Sequence, residues 1–80
     1  MQTWDVYILK CGDDSLYTGI ALDVAARVRV HNTGRGAKYV RSHGGGIVVY
    51  QEEYPSRSSA LQREAAVKRM SRQQKLLLIK

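Results

Sequence analysis

Tyr7, Tyr17, Arg27, His31 and Glu64 are side chains of types that hold ions or move protons, in an order and spacing that could bring them together. Arg27 and His31 are spaced one helical turn apart, so on a helix they are neighbours. Glu64 falls within an arc that Ala60, Leu61, Ala65 and Val67 make apolar, with Lys68 beside it, whereas Arg63 and Arg69 point elsewhere. An unpaired carboxylate on such an arc is costly, so Glu64 should be paired, hydrogen-bonded or bound to a cation. Tyr7 and Tyr17 sit on the alternate residue sets of two strands, and a suitable register brings both to one face. Gly19, one pleat from Tyr17, leaves that face open to another backbone or a ligand. Each residue also has a packing reading. Strand tyrosines are commonly half-buried, Arg27 can lie along its helix, His31 can close a core edge, and Glu64 can pair with Lys68 at i,i+4.

Punctuation residues define the elements that must carry these groups. In the first strand Trp4, Val6 and Ile8 alternate with Asp5, Tyr7 and Leu9; in the second Leu16, Thr18 and Ile20 alternate with Tyr17, Gly19 and Ala21. Gly12-Asp13-Asp14-Ser15 between them is turn chemistry, which makes an antiparallel hairpin. Asp23 caps a helix running to about Asn32, with Gly34 as a stop. GRGAKYVRSHGGG reads as a glycine-rich basic loop with at most one helical turn, and IVVYQEEY as a third strand whose apolar front half suits a central, doubly covered position. Pro55 ends that strand. Ser56 or Ser58 caps the next helix and Ser71 a final one.

The chain is read as one domain, residues 1–80, near the lower limit for a self-sufficient core. Its single cysteine, Cys11, excludes an internal disulfide and offers no thiolate cluster for a metal. MQTWDVYILK has no basic leader, and its apolar run is too short for a signal sequence or a membrane span, so a cytoplasmic location and no membrane partner are expected. Thirteen lysines and arginines stand against seven acidic residues, a net charge of +6. That excess favours a polyanion, nucleic acid before membrane, through neutralisation of phosphates and release of their counterions.

Order and spacing together give the scattered residues a common meaning, because they resemble the signature of the GIY-YIG nuclease superfamily. Its first half reads here as Val6-Tyr7-Ile8 and its second as Tyr17-Thr18-Gly19. Arg27 follows, then His31 one turn later, then Glu64 on a helix after the third strand. LYTGIALDVAARVRVHNTGRGAKYVRS and SRSSALQREAAVKRMSRQQKLLLI are similar to the small stand-alone bacterial members. The resemblance implies an α+β fold, a three-stranded antiparallel sheet flanked by helices. It also implies an endonuclease that hydrolyses phosphodiester bonds with one Mg²⁺ or Mn²⁺ ion held by Glu64, on DNA ahead of RNA, in repair, recombination or processing.

In that site Arg27 offers a fork of donors to the scissile phosphate. Tyr7, Tyr17 and His31 are the candidate proton acceptors, and a tyrosine serving as base needs its neighbours to lower its pKa from about 10. Gly19 lets the phosphate approach the sheet. Lys10, Arg35, Lys38, Arg41, Arg57 and Lys68 are candidate phosphate contacts, and Tyr39 a base-stacking residue that can equally pack its loop. The sequence departs from the superfamily at Val6, which replaces a glycine, and near residue 76, where a leucine stands in place of an asparagine; Gln73 and Gln74 are the candidate substitutes. No appended targeting domain fits in this length, so a protein partner is one candidate source of target choice. The second reading is a non-catalytic nucleic-acid-binding module on the same fold.

Overall fold

The computed structural model describes residues 2–33 and 38–79, with the backbone alone at residue 41. Gly34 and Arg35 lie outside the described residues. The elements run β1 (Trp4–Cys11), β2 (Leu16–Ala21), α1 (Val24–Asn32), α2 (Lys38–Ser42), β3 (Gly46–Tyr54), α3 (Arg57–Lys68) and α4 (Arg72–Ile79). The strands form one antiparallel sheet in the order β2-β1-β3.

The hairpin forms as its turn residues require. Asp13 Oδ1 accepts hydrogen bonds from the Ser15 amide (3.1 Å) and hydroxyl (2.6 Å), and Asp14 takes the left-handed conformation at φ 69°. The expectation for β3 is overturned: the central strand is β1, and β3 is an edge. Val6, Ile8 and Leu9 are wholly buried, whereas Ile47 at the start of β3 is 64% exposed. The route from β2 passes through α1 and α2 and delivers β3 to the free side of β1, so β1 is covered on both flanks and both faces. A fully buried side chain of this size contributes about 1.5–3 kcal/mol. A bulge interrupts the β1–β3 ladder, where Ile8 pairs with Tyr50 but Leu9 with Val48, leaving Val49 extra.

Cross-strand pairing sorts the side chains by face. Tyr7, Leu9, Tyr17, Gly19 and Ala21 share one face, where Tyr7, Leu9 and Ala21 pack with Val24 of α1 and Val40 of α2. α1 starts as expected, with Asp23 Oδ1 accepting from the Ala26 amide at 3.1 Å. Its last residue, Asn32, ties it to β3: Nδ2 donates to the Gly46 carbonyl (3.0 Å) and Oδ1 accepts from the Gly46 amide (2.8 Å). Gly45, at φ 75°, passes so near that a Cβ there would lie 2.8 Å from Asn32 Oδ1.

The other face carries Val6, Ile8, Thr18 and Ile20, and α3 lies on it. Ser56 caps α3 by accepting from the Ser59 amide at 3.1 Å. The buried arc differs from the expected one. Ala60 and Val67 are fully buried, but Leu61 and Ala65 are exposed and Arg63 turns toward the sheet. Glu52, opposite Val6 on β3, draws it there. Arg63 Nε donates to Glu52 Oε1 at 2.9 Å and Nη2 to Oε2 at 3.1 Å. Tyr54 Oη donates to Oε1 at 2.9 Å, and Tyr50 Oη also donates to the carboxylate. Burial works to raise the Glu52 pKa, yet the Arg63 fork and the two hydroxyls outweigh it and hold the carboxyl below the usual range. Ser71 and Gln74 close α4 in a reciprocal capping box: Ser71 Oγ accepts from the Gln74 amide (3.1 Å) and Gln74 Oε1 from the Ser71 amide (2.9 Å). Gln74 is thereby engaged at the helix start rather than reaching the tyrosines.

The face above Gly19 is not open to a ligand, contrary to expectation. Tyr7 pairs with Gly19 across the strands and lays its ring over it, so that a Cβ at Gly19 would lie 2.6 Å from Tyr7 Oη and 2.8 Å from Cζ. Only glycine leaves room for that ring. Gly19→Ala should cost about 1–3 kcal/mol, the usual range for forced overpacking. Urea denaturation should show a lower midpoint with an unchanged slope; an unchanged midpoint would mean that the Tyr7 ring is free to swing aside.

Candidate active site

β1 and α1 supply the centre of the cluster. Tyr7, 1% exposed, reaches from the sheet to α1, where its Oη lies 3.1 Å from Nε2 of His31, 2% exposed. One turn earlier on α1, Arg27 is exposed to solvent yet close enough for its charge to act on both groups. β2 adds Tyr17, half-buried on the same face. Its ring centroid is 6.5 Å from that of Tyr7 and 5.5 Å from that of His31, the latter edge-on at 69°. α3 contributes Glu64, whose side chain is 16% exposed and whose Oε2 lies 3.4 Å from Lys68 Nζ.

Electrostatics separate the roles these groups can take. Burial, then the neighbouring Tyr17 and in smaller part Glu64, push the Tyr7 hydroxyl up to about 12, while the charge and the hydrogen bond of Arg27 work in the other direction and are outweighed. The lowering that a tyrosine base requires is therefore not met at Tyr7. His31 moves down from its ordinary value, chiefly through burial and then through the Arg27 charge, so its ring is neutral at neutral pH. A neutral imidazole has one acceptor nitrogen, and a tyrosine far below its pKa has a proton to donate. In the tautomer whose Nε2 is the acceptor nitrogen, the hydroxyl donates to the ring, with the exposed Arg27 guanidinium beside the pair.

Among the described residues, no group of three or more His, Cys, Asp or Glu is placed to hold a metal ion. Glu64 is a single half-buried carboxylate with an exposed lysine as its ion-pair partner. That donor set does not suit a closed protein cage, but it does suit a hydrated hard cation that takes one carboxylate and completes its shell with water and phosphate oxygens.

The peripheral candidates divide. Tyr39, on α2, packs against Tyr17 (centroids 5.8 Å) and stacks on His43 (4.0 Å, 13°), extending the aromatic run away from Tyr7. Lys38 is exposed beside it, and residue 41 lies on the same short helix. Arg57 sits 5.7 Å over the Trp4 ring at the start of α3. Lys10 lies on the opposite face from both tyrosines, paired with Asp14 at 3.3 Å. Lys68 is engaged with Glu64, as its i,i+4 spacing allows. The Glu52–Arg63 clamp had a signal in the sequence, the alternation Tyr50, Glu52, Tyr54 on one face of a strand, but its partner Arg63 read as an outward residue.

The described residues contain no helix long and apolar enough to cross a membrane. The profile of the GIY-YIG catalytic domain matches residues 3–76. A UPF0213 protein of Staphylococcus aureus is 54% identical over 80 residues, covering 100% of this chain and 98% of that protein. Another from Staphylococcus haemolyticus is 51% identical over 92% of this chain and 90% of its own length. Among solved structures, the solution structure of the UPF0213 protein BH0048 from Bacillus halodurans superimposes with a TM-score of 0.61 at 42% identity, covering 96% of this chain and 82% of that one. That of protein EF2693 from E. faecalis gives 0.64 at 36% identity, over 94% and 80%. With the sheet order, the facing tyrosines and the Arg27–His31 turn in place, this chain belongs to the GIY-YIG catalytic-domain family.

Proposed function

We propose that the chain is a divalent-metal-dependent endonuclease that hydrolyses phosphodiester bonds in nucleic acid, DNA ahead of RNA. The observation that carries this reading is the buried hydrogen bond between Tyr7 and a neutral His31, set beside an exposed Arg27 and within electrostatic reach of Glu64. Hydrolysis needs a proton acceptor for water, charge opposite the phosphate, and alignment of the two.

The residues take these parts as follows. Arg27 binds the scissile phosphate through its fork of donors. Glu64 holds the cation, which when bound supplies charge neutralisation at the phosphate and help for the leaving oxygen. His31 is the terminal proton acceptor. Tyr7 Oη takes up a proton only as its own passes to His31 Nε2, so Tyr7 is never left as a buried anion. Tyr17, less buried than Tyr7, presents its hydroxyl to the phosphate or the water. Lys38 and the α2 surface extend the positive rim toward the backbone of the substrate.

The Lys68–Glu64 ion pair favours a second reading, a binding module in which Glu64 serves only its helix. A cleavage screen on branched, nicked and single-stranded DNA and on RNA, with Mg²⁺ or Mn²⁺ and a chelator control, separates the two. The nuclease reading predicts metal-dependent cleavage that Glu64→Gln lowers by orders of magnitude while binding persists. Tyr17→Phe should slow turnover at nearly unchanged stability. Absence of cleavage by the wild type on every substrate, with Glu64→Gln altering only thermal stability, would establish the binding module.

A further inference from the structure

The catalytic cluster leaves one neighbouring feature unused. At the β1–β2 end of the sheet, a groove of about 370 Å³ runs beside α1, walled by Trp4, Ile20, Leu22, Ala26 and Val30, with Arg27 on its margin. Leu22 and Val30 are 47% and 39% exposed, so two large aliphatic side chains meet water in the same groove. Nothing in the hydrolytic scheme requires this. Arg27 therefore belongs to two places at once, the Tyr7–His31 cluster and the mouth of an apolar slot.

We propose that this groove takes one unstacked nucleotide of the substrate, next to the phosphate that Arg27 binds; the assignment rests on the phosphodiester reading above. The occupant follows from the chemistry of the walls. A nucleobase has flat apolar faces that gain from contact with an indole and with aliphatic side chains, and each nucleotide carries a phosphate on either side. The groove offers a matching pattern. Trp4 and the aliphatic residues form its apolar walls, Arg27 stands at its margin, and a second guanidinium, that of Arg57, lies 5.7 Å over the Trp4 ring. Asp23 also lines the groove, with its Oδ1 engaged by the Ala26 amide. Its negative charge keeps phosphate out of the slot and on the two arginines. An apolar peptide would leave both arginines without a counter-charge; a strand of nucleic acid neutralises them. A base paired and stacked in a duplex cannot enter, so the groove selects substrates with an unpaired or frayed nucleotide beside the cleaved bond.

Trp4 is the only tryptophan, so its fluorescence reports the groove directly. Titration of the Glu64→Gln protein with a short single-stranded oligonucleotide should quench Trp4 saturably. The same strand with one abasic position should bind about tenfold or more weakly and leave Trp4 bright. Leu22→Glu and Val30→Asp, both at exposed positions, should reproduce that loss without changing the circular dichroism spectrum. With Glu64 intact and Mg²⁺ present, Val30→Asp should lower cleavage next to an unpaired nucleotide more than cleavage next to a paired one. Cleavage that proceeds without Trp4 quenching, or quenching that survives both substitutions and the abasic strand, overturns the groove and leaves the hydrolytic reading standing. Quenching with the predicted base dependence but no cleavage by the wild type supports the nucleotide slot and overturns hydrolysis.

Discussion

The hydrogen bond between Tyr7 and His31 is the contact on which the site is built, and it exists because a glycine stands opposite Tyr7. A side chain at residue 19 would meet the tyrosine hydroxyl at 2.6 Å, so any larger residue forces the ring to shift from the position that reaches His31. With glycine there, the ring crosses β2, its hydroxyl reaches His31, and α1 is set against the sheet at the depth that puts Arg27 outside. Asn32 fixes the far end of the same helix to β3 through both atoms of its amide. α1 is thus held at two points, one within the site and one outside it.

Burial then divides charge from proton handling. Tyr7 and His31 are removed from water and kept neutral, the first by a raised pKa and the second by a lowered one. The charges that a phosphate or a cation would meet, Arg27 and Glu64, lie closer to solvent on different elements. Glu64 depends on the seating of α3, which is fixed by its neighbour in sequence. Arg63 grips Glu52 in a two-point bond completed by Tyr50 and Tyr54. The candidate residues thus sit on two helices on opposite faces of the sheet, each helix locked by a polar contact of its own.

Much of this was legible in the sequence where a local rule acts alone. Asp23, Ser56 and Ser71 cap the helices they were expected to cap, and the Asp13–Ser15 turn closes the hairpin. The three-stranded antiparallel sheet and the order of the family residues were readable as well, since they depend on spacing. What escaped depends on partners distant in the chain. Val6 to Leu9 and Ile47 to Tyr50 are apolar runs of equal length, and only the topology decides that the first is central and the second an edge. A helical wheel places a charged Arg63 outward, because it cannot see a carboxylate on a strand. The strand pleat likewise credits Gly19 with open space, although the ring of Tyr7 fills it from the neighbouring strand.

The central claim is that Tyr7 is a buried, neutral hydroxyl bonded to a neutral His31, which makes the histidine rather than the tyrosine the resting proton acceptor. Titration of the protein labelled with ¹³C at tyrosine Cζ, with Tyr7 assigned by the signal lost in Tyr7→Phe, measures this directly. The Tyr7 resonance should stay at its protonated position through the ordinary tyrosine value of about 10 and move only toward about 12. Because that pKa is raised above the unfolded one, its contribution to stability should be complete below about 10 and lost as the pH rises toward about 12. A Tyr7 midpoint at or below the ordinary value would contradict the account, since it would show an accessible hydroxyl able to ionise on its own.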